Sequence, residues 1–176
     1  MKLRMIVNLF GGPGAGKSTT AAGVFTLLKL HGVNCELVTE FAKDLTWEER
    51  HKTLGNQYYI SAKQHHRIWR LQEHVDVIVT DSPLIQSIAY TKEQSIIDAI
   101  IALHDNYVNV NYFIERVKPY QEAGRSQTED EAKDICKDIK EVLETHTGHY
   151  THVKGNTEGI NEIAERILYG LGKELE

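Results

Sequence analysis

The sequence predicts an α/β fold in which a mainly parallel, five-stranded sheet lies between layers of helices. Three observations carry that expectation. Short apolar runs alternate with longer helical stretches along the whole chain, with no repeat, low-complexity tract or linker between them, as expected of strands joined by crossover helices. The run VDVIVT at 75–80 is apolar without a two-residue alternation, as befits a strand covered on both faces. A glycine-rich turn follows the first apolar run and precedes a helical one. In this class of fold, ligands gather at that carboxyl edge of the sheet.

The elements follow in order. Residues 3–10 (LRMIVNLF) read as the first strand, and 17–30 as a helix closed by His31-Gly32. Residues 34–39 (NCELVT) are the second strand, and 47–74 are mostly helical with a break near Gly55. The third strand is 75–80, followed by a helix over 92–104 and a fourth strand over 108–114. A charged helix over 128–145, a weak last strand over 150–153 and a last helix over 157–171 complete the chain. Right-handed crossovers follow from the twist of the strands. The whole, residues 1–176, fits one domain long enough to bury a substantial core.

Composition narrows the function classes. A hydrophobic fraction of 41% and a charged fraction of 26% are ordinary for a globular protein. The net charge of −5 does not advertise nucleic-acid or anionic-membrane binding by the surface as a whole, although it leaves room for a local basic groove. Cys35 and Cys136 are too few for a disulfide scaffold and lack metal-like spacing, so free thiols in a reducing cytoplasm are expected. The apolar run 5–10 is too short for a signal peptide or a membrane span. A soluble cytoplasmic protein with no membrane partner is the expectation.

The glycine-rich turn, Gly11 to Ser18, matches G-x-x-x-x-G-K-[ST], the phosphate-binding loop, and sits between an expected strand and an expected helix. Glycines let successive backbone N–H groups turn inward as a nest for phosphate oxygens, and the helix N-terminus adds partial positive charge. Gly12, Gly14, Ala15, Gly16, Lys17, Ser18 and Thr19 are therefore the expected nucleotide-phosphate ligands. Lys17 would reach the β- and γ-phosphates, and the Ser18 hydroxyl would ligate Mg²⁺. A GTPase would carry a later N-K-x-D, which the chain lacks. A motor or AAA-type ATPase usually adds a helical domain and sensor residues, for which 176 residues leave little room. A small kinase or a minimal NTPase module remains.

The rest of the chain supplies candidates for the acceptor side. Asp81 ends the third strand beside the loop and is placed to hold Mg²⁺ or orient an acceptor hydroxyl; the plain alternative is a turn cap before Pro83. Glu40 ends the second strand as a base or hydrogen-bond partner, or else as a solvated residue opening a loop. The stretch 114–127 carries Arg116, Lys118 and Arg125 with Pro119 and Gly124, and reads as a mobile basic lid that brings cations to a moving phosphoryl group and keeps water out. On the long helix, Lys63, Arg67 and Arg70 share a face with His66 beside them, either receiving an acceptor phosphate or facing solvent. Tyr58, Ala62, His65, Ile68 and Trp69 make its apolar stripe, expected in the core, while Gln57 and Gln64 lie a heptad apart on the acceptor side. His146, His149 and His152 pass from a helix end into a strand, so they share no face and do not make a metal site. Gly155-Asn156-Thr157 reads as a turn with an N-cap, where backbone groups border the adenine.

Together, GGPGAGKSTTAAG, TEFAKDL, NQYYISAKQHHRIWRL, VDVIVTDSPL, ERVKPYQEAGRSQTEDEA and KGNTEGINEIAERIL resemble a family of small P-loop ATP-binding proteins. Many of these are phage-encoded, and they stand with nucleoside and nucleotide kinases such as thymidylate kinase and the ribosylnicotinamide kinase domain of bacterial NAD regulators. The resemblance covers about residues 3–172. It implies a P-loop NTPase three-layer sandwich with sheet order 2-3-1-4-5 and a kinase-like lid at about 116–127. It also implies ATP and Mg²⁺ as cofactors, Gly11 to Thr19 on the ATP phosphates, Asp81 at the Mg²⁺ and acceptor edge, and Arg116 and Arg125 as lid arginines. The chain has Asp81-Ser82-Pro83 where thymidylate kinases carry an Asp-Arg pair, so the resemblance does not carry thymidylate over as acceptor.

Three readings follow. The first is an ATP- and Mg²⁺-dependent kinase of a nucleoside or nucleoside monophosphate. The second places the acceptor hydroxyl in DNA, on a hydroxymethylated pyrimidine, with a steep salt dependence. The third is an ATP-gated binding module with weak hydrolysis. The implied partner is a small acceptor, with DNA and a second copy of the chain left open. The implied setting is the cytoplasm, that of the host for a phage-encoded chain.

Overall fold

The computed structural model describes residues 4–121 and 127–173. Five strands, β1 (Met5–Phe10), β2 (Cys35–Val38), β3 (Val77–Thr80), β4 (Asn109–Glu115) and β5 (Thr151–Lys154), form one sheet in the order β2-β3-β1-β4-β5. Every pairing is parallel. The central strand β1 is registered against β3 (Asn8 opposite Thr80) and β4 (Phe10 opposite Phe113), while Val38 of β2 stands opposite Thr80. These pairings bring the carboxyl ends of β2, β3 and β1 side by side. The order implied by the resemblance is the order observed.

Helices cover both faces of the sheet. On one face α1 (Lys17–Leu30) and α7 (Thr157–Gly170) pack Val24, Leu28, Ile163 and Ile167 onto Val7, Leu9, Val77 and Val79. On the other, α5 (Gln94–His104) and α6 (Glu129–His146) join a 3-10 helix (Leu84–Tyr90) around Phe10 and Phe113, with Ile85, Ile100, Ile139 and Leu143 fully enclosed. A buried side chain of this size is worth roughly 1.5–3 kcal/mol over its exposed state. The pattern of β1 explains its place: Val7 and Leu9 feed the first core, while on the other face Phe10 feeds the second and Ile6 a third cluster with Val38, Ile68, Val75 and Ile78. Asn8, on the second face, is buried and donates Nδ2 to Asn109 Oδ1 (2.9 Å) and Asn111 Oδ1 (3.0 Å), so the polar residue inside the strand is satisfied across the β1–β4 ladder.

Local signals set the helix ends. After α1, the Val33 N–H reaches back to Leu28 O (3.0 Å) and the Gly32 N–H to Lys29 O (3.0 Å), as His31-Gly32 foretold. α6 opens on a capping box, with Thr128 N–H donating to Glu131 Oε2 (2.7 Å) and Glu131 N–H to Thr128 Oγ1 (3.4 Å).

The stretch 47–74 is more divided than the once-broken helical stretch expected of it. It holds the end of α2 (Phe41–Trp47), the short α3 (His51–Leu54) and α4 (Gln57–Trp69). The break near Gly55 is present, but a second one lies at 48–50, where Glu49 takes a left-handed φ of 54°. Asn56 then restarts the chain as helix by accepting from Tyr59 N–H (3.1 Å). The expected apolar stripe of α4 is also corrected. Tyr58 and Trp69 are 55% and 53% exposed, and the buried face is Ile60, Ser61, Gln64 and Ile68. Among the described residues, no helix is long and apolar enough to cross a membrane.

Candidate functional site

Three chain segments leave the carboxyl edge of the sheet side by side: the glycine-rich loop after β1, Asp81 after β3, and Glu40 two residues beyond β2. In the loop, Gly14 and Gly16 take φ of 79° and 99°, a region costly for any residue with a Cβ. Gly16 is the N-cap of α1 and offers no side chain to its first turn, which also contains no acidic residue. The N–H groups at that end are left for an anion. Lys17 folds over the loop, donating from Nζ to Gly11 O (2.7 Å) and Gly12 O (3.2 Å).

The loop forms one wall of a cavity of about 370 Å³ lined by Gly14, Ala15, Gly16, Lys17, Ser18 and Thr19 among others. Glu40, Trp47, Gln57, Gln64, Gln86 and Tyr90 line the same cavity. Glu40 does not end the strand, as the sequence suggested. It stands at the N-cap position of α2 with an extended backbone and makes no capping hydrogen bond, so its carboxylate is left to the cavity. Burial pushes its pKa up, Lys17 pulls it down and Asp81 pushes it up again. A carboxylate raised in this way is a stronger base once ionised.

Asp81 is 3% exposed, and its buried Oδ1 has no hydrogen-bond partner among the described residues. A lone carboxylate oxygen inside a protein is costly unless a cation meets it. With the Ser18 hydroxyl on the cavity wall, the donors here are hard oxygens, the kind that suit Mg²⁺. Among the described residues no group of three or more His, Cys, Asp or Glu is arranged around a metal position. One or two protein oxygens, completed by phosphates and water, is how Mg²⁺ is commonly held.

Gln64, a residue the sequence placed on the acceptor side, is fixed by three backbone partners. Its Oε1 accepts from Phe41 N–H (2.9 Å), and its Nε2 donates to Ser82 O (3.2 Å) and Thr39 O (3.4 Å). One buried amide thus grips both neighbours of Glu40 and the residue after Asp81, and sets the spacing of the two carboxylates. Arg67, one turn on, reinforces the same corner. It donates to Thr39 O (3.1 Å), pairs with Asp44 and lies over the Phe41 ring. The row Lys63, Arg67, Arg70 is therefore not a set of free cations facing the cavity: Arg67 is spent on the β2–α2 junction, and Lys63 lies over Tyr59, 5.6 Å from its ring centre.

The remaining candidates divide. Arg116 pairs with Glu129 (2.9 Å) and lies over the Tyr120 ring rather than on the cavity wall. Gln127, at the far end of the lid segment, does line the cavity, while Arg125 lies outside the described residues. Gly155 presses against the phosphate loop: a Cβ there would stand 2.5 Å from Ala15 O and 3.1 Å from Glu115 O. Asn156 caps α7, its Oδ1 accepting from Gly159 N–H (3.1 Å). His152 packs at a tilt against the Phe113 and Tyr150 rings, and His149 offers its carbonyl to Asn111.

Sequence reasoning missed Trp47, Gln86 and Tyr90. They come from α2 and the 3-10 helix, neither of which was anticipated. Pro83 before an i, i+4 pair of cavity-facing residues was the available signal. Burial, with Glu40 and Cys136, pushes the Tyr90 phenol pKa up, so this hydroxyl keeps its proton.

A family model described as an AAA domain matches residues 6–159. No curated protein matches the chain. Among solved structures, the chain is similar to deoxyadenosine kinase from M. mycoides. The form with products dCMP and a flexible dCDP aligns at a TM-score of 0.58 and 18% identity, covering 96% of this chain and 99% of that one. The dCTP form aligns at 0.57 and 18%, over 96% and 99%. The dATP form aligns at 0.58 and 17%, over 96% and 100%. At these identities the likeness is one of fold.

Proposed function

The chain belongs to the AAA-domain family, and from that premise we propose that it is an ATP-dependent phosphotransferase acting on a nucleoside or nucleoside monophosphate. The observation that carries this reading is the acceptor-sized space beside the loop, with Glu40 on its lining. A site that only hydrolyses ATP needs room for water, whereas this loop borders a cavity of about 370 Å³ whose lining includes a carboxylate of raised pKa, Glu40. That volume lies within the range of small-ligand sites and supports a small acceptor over DNA. The deoxynucleotides bound in the M. mycoides kinase structures support the same class.

In this mechanism the triphosphate lies along 12–19, with its oxygens on the loop amides and the N-terminus of α1. Lys17 exchanges its loop carbonyls for the β- and γ-phosphates. Glu40 takes the proton of the acceptor hydroxyl while that oxygen attacks the γ-phosphorus. The bond from the γ-phosphorus to the bridging oxygen breaks, and ADP departs. Mg²⁺, held by Ser18 and Asp81, would supply charge neutralisation across the phosphates. Arg116, released from Glu129, and Arg125 are the proposed lid cations, and Gly155 and Asn156 border the adenine. The proposed setting is the cytoplasm.

Labelled ATP offered with nucleosides, nucleoside monophosphates, ribosylnicotinamide and hydroxymethylated DNA tests the proposal. Transfer to a small acceptor is expected, and Lys17→Ala should lower it by at least about a hundredfold. Free phosphate alone, with no acceptor labelled, overturns it. Transfer confined to DNA and falling steeply with salt replaces it with the polynucleotide reading.

A further inference from the structure

Among the described residues, three buried side-chain oxygens have no hydrogen-bond partner: Ser61 Oγ, Asp81 Oδ1 and Gln86 Oε1. Ser61 does not border the cavity, and Asp81 stands at the cation edge. Gln86 is different: it is 4% exposed, it lines the cavity, and among the described residues none meets its amide oxygen. Resting on the acceptor reading of this cavity, we infer that Gln86 reads the nucleobase of the acceptor, taking at Oε1 a hydrogen bond from a base N–H.

The contrast with Gln64 carries the argument. Both glutamines are buried on the lining of the same cavity, 2% and 4% exposed. Gln64 has its oxygen and nitrogen committed to the backbone of residues 39, 41 and 82, and is a structural clamp. Among the described residues Gln86 has no such commitment, and a buried amide oxygen without a protein donor is a standing cost that a ligand N–H, displacing any water there, relieves. Its position is rigid. The 3-10 helix is anchored by Leu84 and Ile85 in the core, and the Gln86 N–H is bonded to Pro83 O (3.0 Å).

The chemistry also fits a base better than a sugar. The reacting hydroxyl has to sit at Glu40, whereas Gln86 stands on the separate 3-10 helix, and the cavity's apolar lining of Trp47, Leu54 and Ile60 suits a planar ring. A planar amide matches an edge that offers N–H beside a ring acceptor. Amino-bearing purines and pyrimidines, and the lactam edge of thymine, present such an edge.

The test compares deoxynucleosides with partners lacking that N–H. Deoxyadenosine is paired with the purine deoxynucleoside without its exocyclic amine, deoxycytidine with the corresponding pyrimidinone, and thymidine with its N3-methyl derivative. The ratio of kcat/KM within each pair is measured on the full chain, wild type and Gln86→Met. For the pair containing the true acceptor, the wild type should favour the parent at least about tenfold. In Gln86→Met that ratio should fall to within about twofold of unity, with the KM for ATP unchanged. Removing an unmet buried amide should leave the variant melting no lower than wild type, and Gln86→Glu, which keeps an acceptor oxygen, should retain the preference. A ratio that survives in Gln86→Met overturns the inference and leaves the kinase reading standing. Absence of transfer to every nucleoside, and to the same compounds offered as 5′-monophosphates, brings down both.

Discussion

The close approach of Gly155 to the phosphate loop allows the loop's role to be tested without touching a phosphate ligand. A Cβ at this position would sit 2.5 Å from Ala15 O, 3.1 Å from Glu115 O and 3.2 Å from Ile114 Cγ2. Carbon and carbonyl oxygen settle at about 3.3–3.6 Å, so Gly155→Ala forces the two backbones apart by roughly 0.8–1.1 Å. One side is braced. Gly155 N–H is bonded to Glu115 O (2.9 Å), Lys154 is paired in the β4–β5 ladder, and Asn156 caps α7. The other side is a glycine-rich turn, in which Ala15 N–H is bonded only to Gly12 O (3.1 Å). The loop should therefore yield.

Overpacking of this kind costs about 1–3 kcal/mol. Much of that should appear when nucleotide binding demands the original loop geometry, weakening ATP affinity by roughly 5- to 150-fold. The fold itself should lose less, with a melting temperature lower by no more than about 4 °C. Calorimetric titration of ATP with Mg²⁺, beside a thermal melt, measures both. Gly170→Ala is the control, because a Cβ there meets nothing within 4 Å. An unchanged ATP affinity in Gly155→Ala, with a lowered melting temperature, would show that the β5–α7 turn moved instead and would refute the reasoning.

Two further outcomes are expected. Glu40→Gln should reduce transfer by about 10²–10⁴-fold while leaving ATP affinity near wild type. Its pH signature has a definite sign. The folded pKa of Glu40 is raised by burial, so between the ordinary carboxylate value and the raised one the native state holds a proton that the unfolded chain has lost. Stability should fall as pH rises through that window, by about 1.4 kcal/mol per unit of displacement. Glu40→Gln should therefore melt above wild type at pH 8, with the gap closing below the ordinary value; a gap independent of pH would contradict the assigned environment. Gln64→Ala leaves the Phe41 N–H and the Thr39 and Ser82 carbonyls without their amide and should destabilise the fold by about 1–3 kcal/mol. It should also lower kcat more than the KM for ATP and move the pKa on the acidic limb of the pH–rate profile, where Glu40 loses its proton, which a purely structural role would leave in place.

Much of this was legible along the chain. Gly14, Gly16 and Lys17 declare their loop by spacing, because backbone turns with positive φ and a lysine on the following helix are local requirements. Asp81 was found for a similar reason: a carboxylate that ends a continuous apolar strand must stand at the edge of the sheet. The stretch 41–74 was harder: the pattern gave helix from 47 with one break near Gly55, whereas Glu49 and the Asn56 cap make two breaks and the first helix already begins at Phe41. Trp69 and Tyr58 look like core by composition, yet face outward because α4 is turned to present Ile60, Gln64 and Ile68.

The sequence by itself determined the strand–helix alternation, the phosphate loop and the carboxylate after β3, because each depends on residues within a few positions of one another. The tertiary structure alone decided which glutamine clamps the site and which stands open. It also decided that Arg67 is spent on a backbone corner and that Gly155 abuts Ala15 across 140 positions of sequence. Those facts are contacts between distant segments. They are set by how helices seat on a twisted sheet, a quantity that no local pattern of residues encodes.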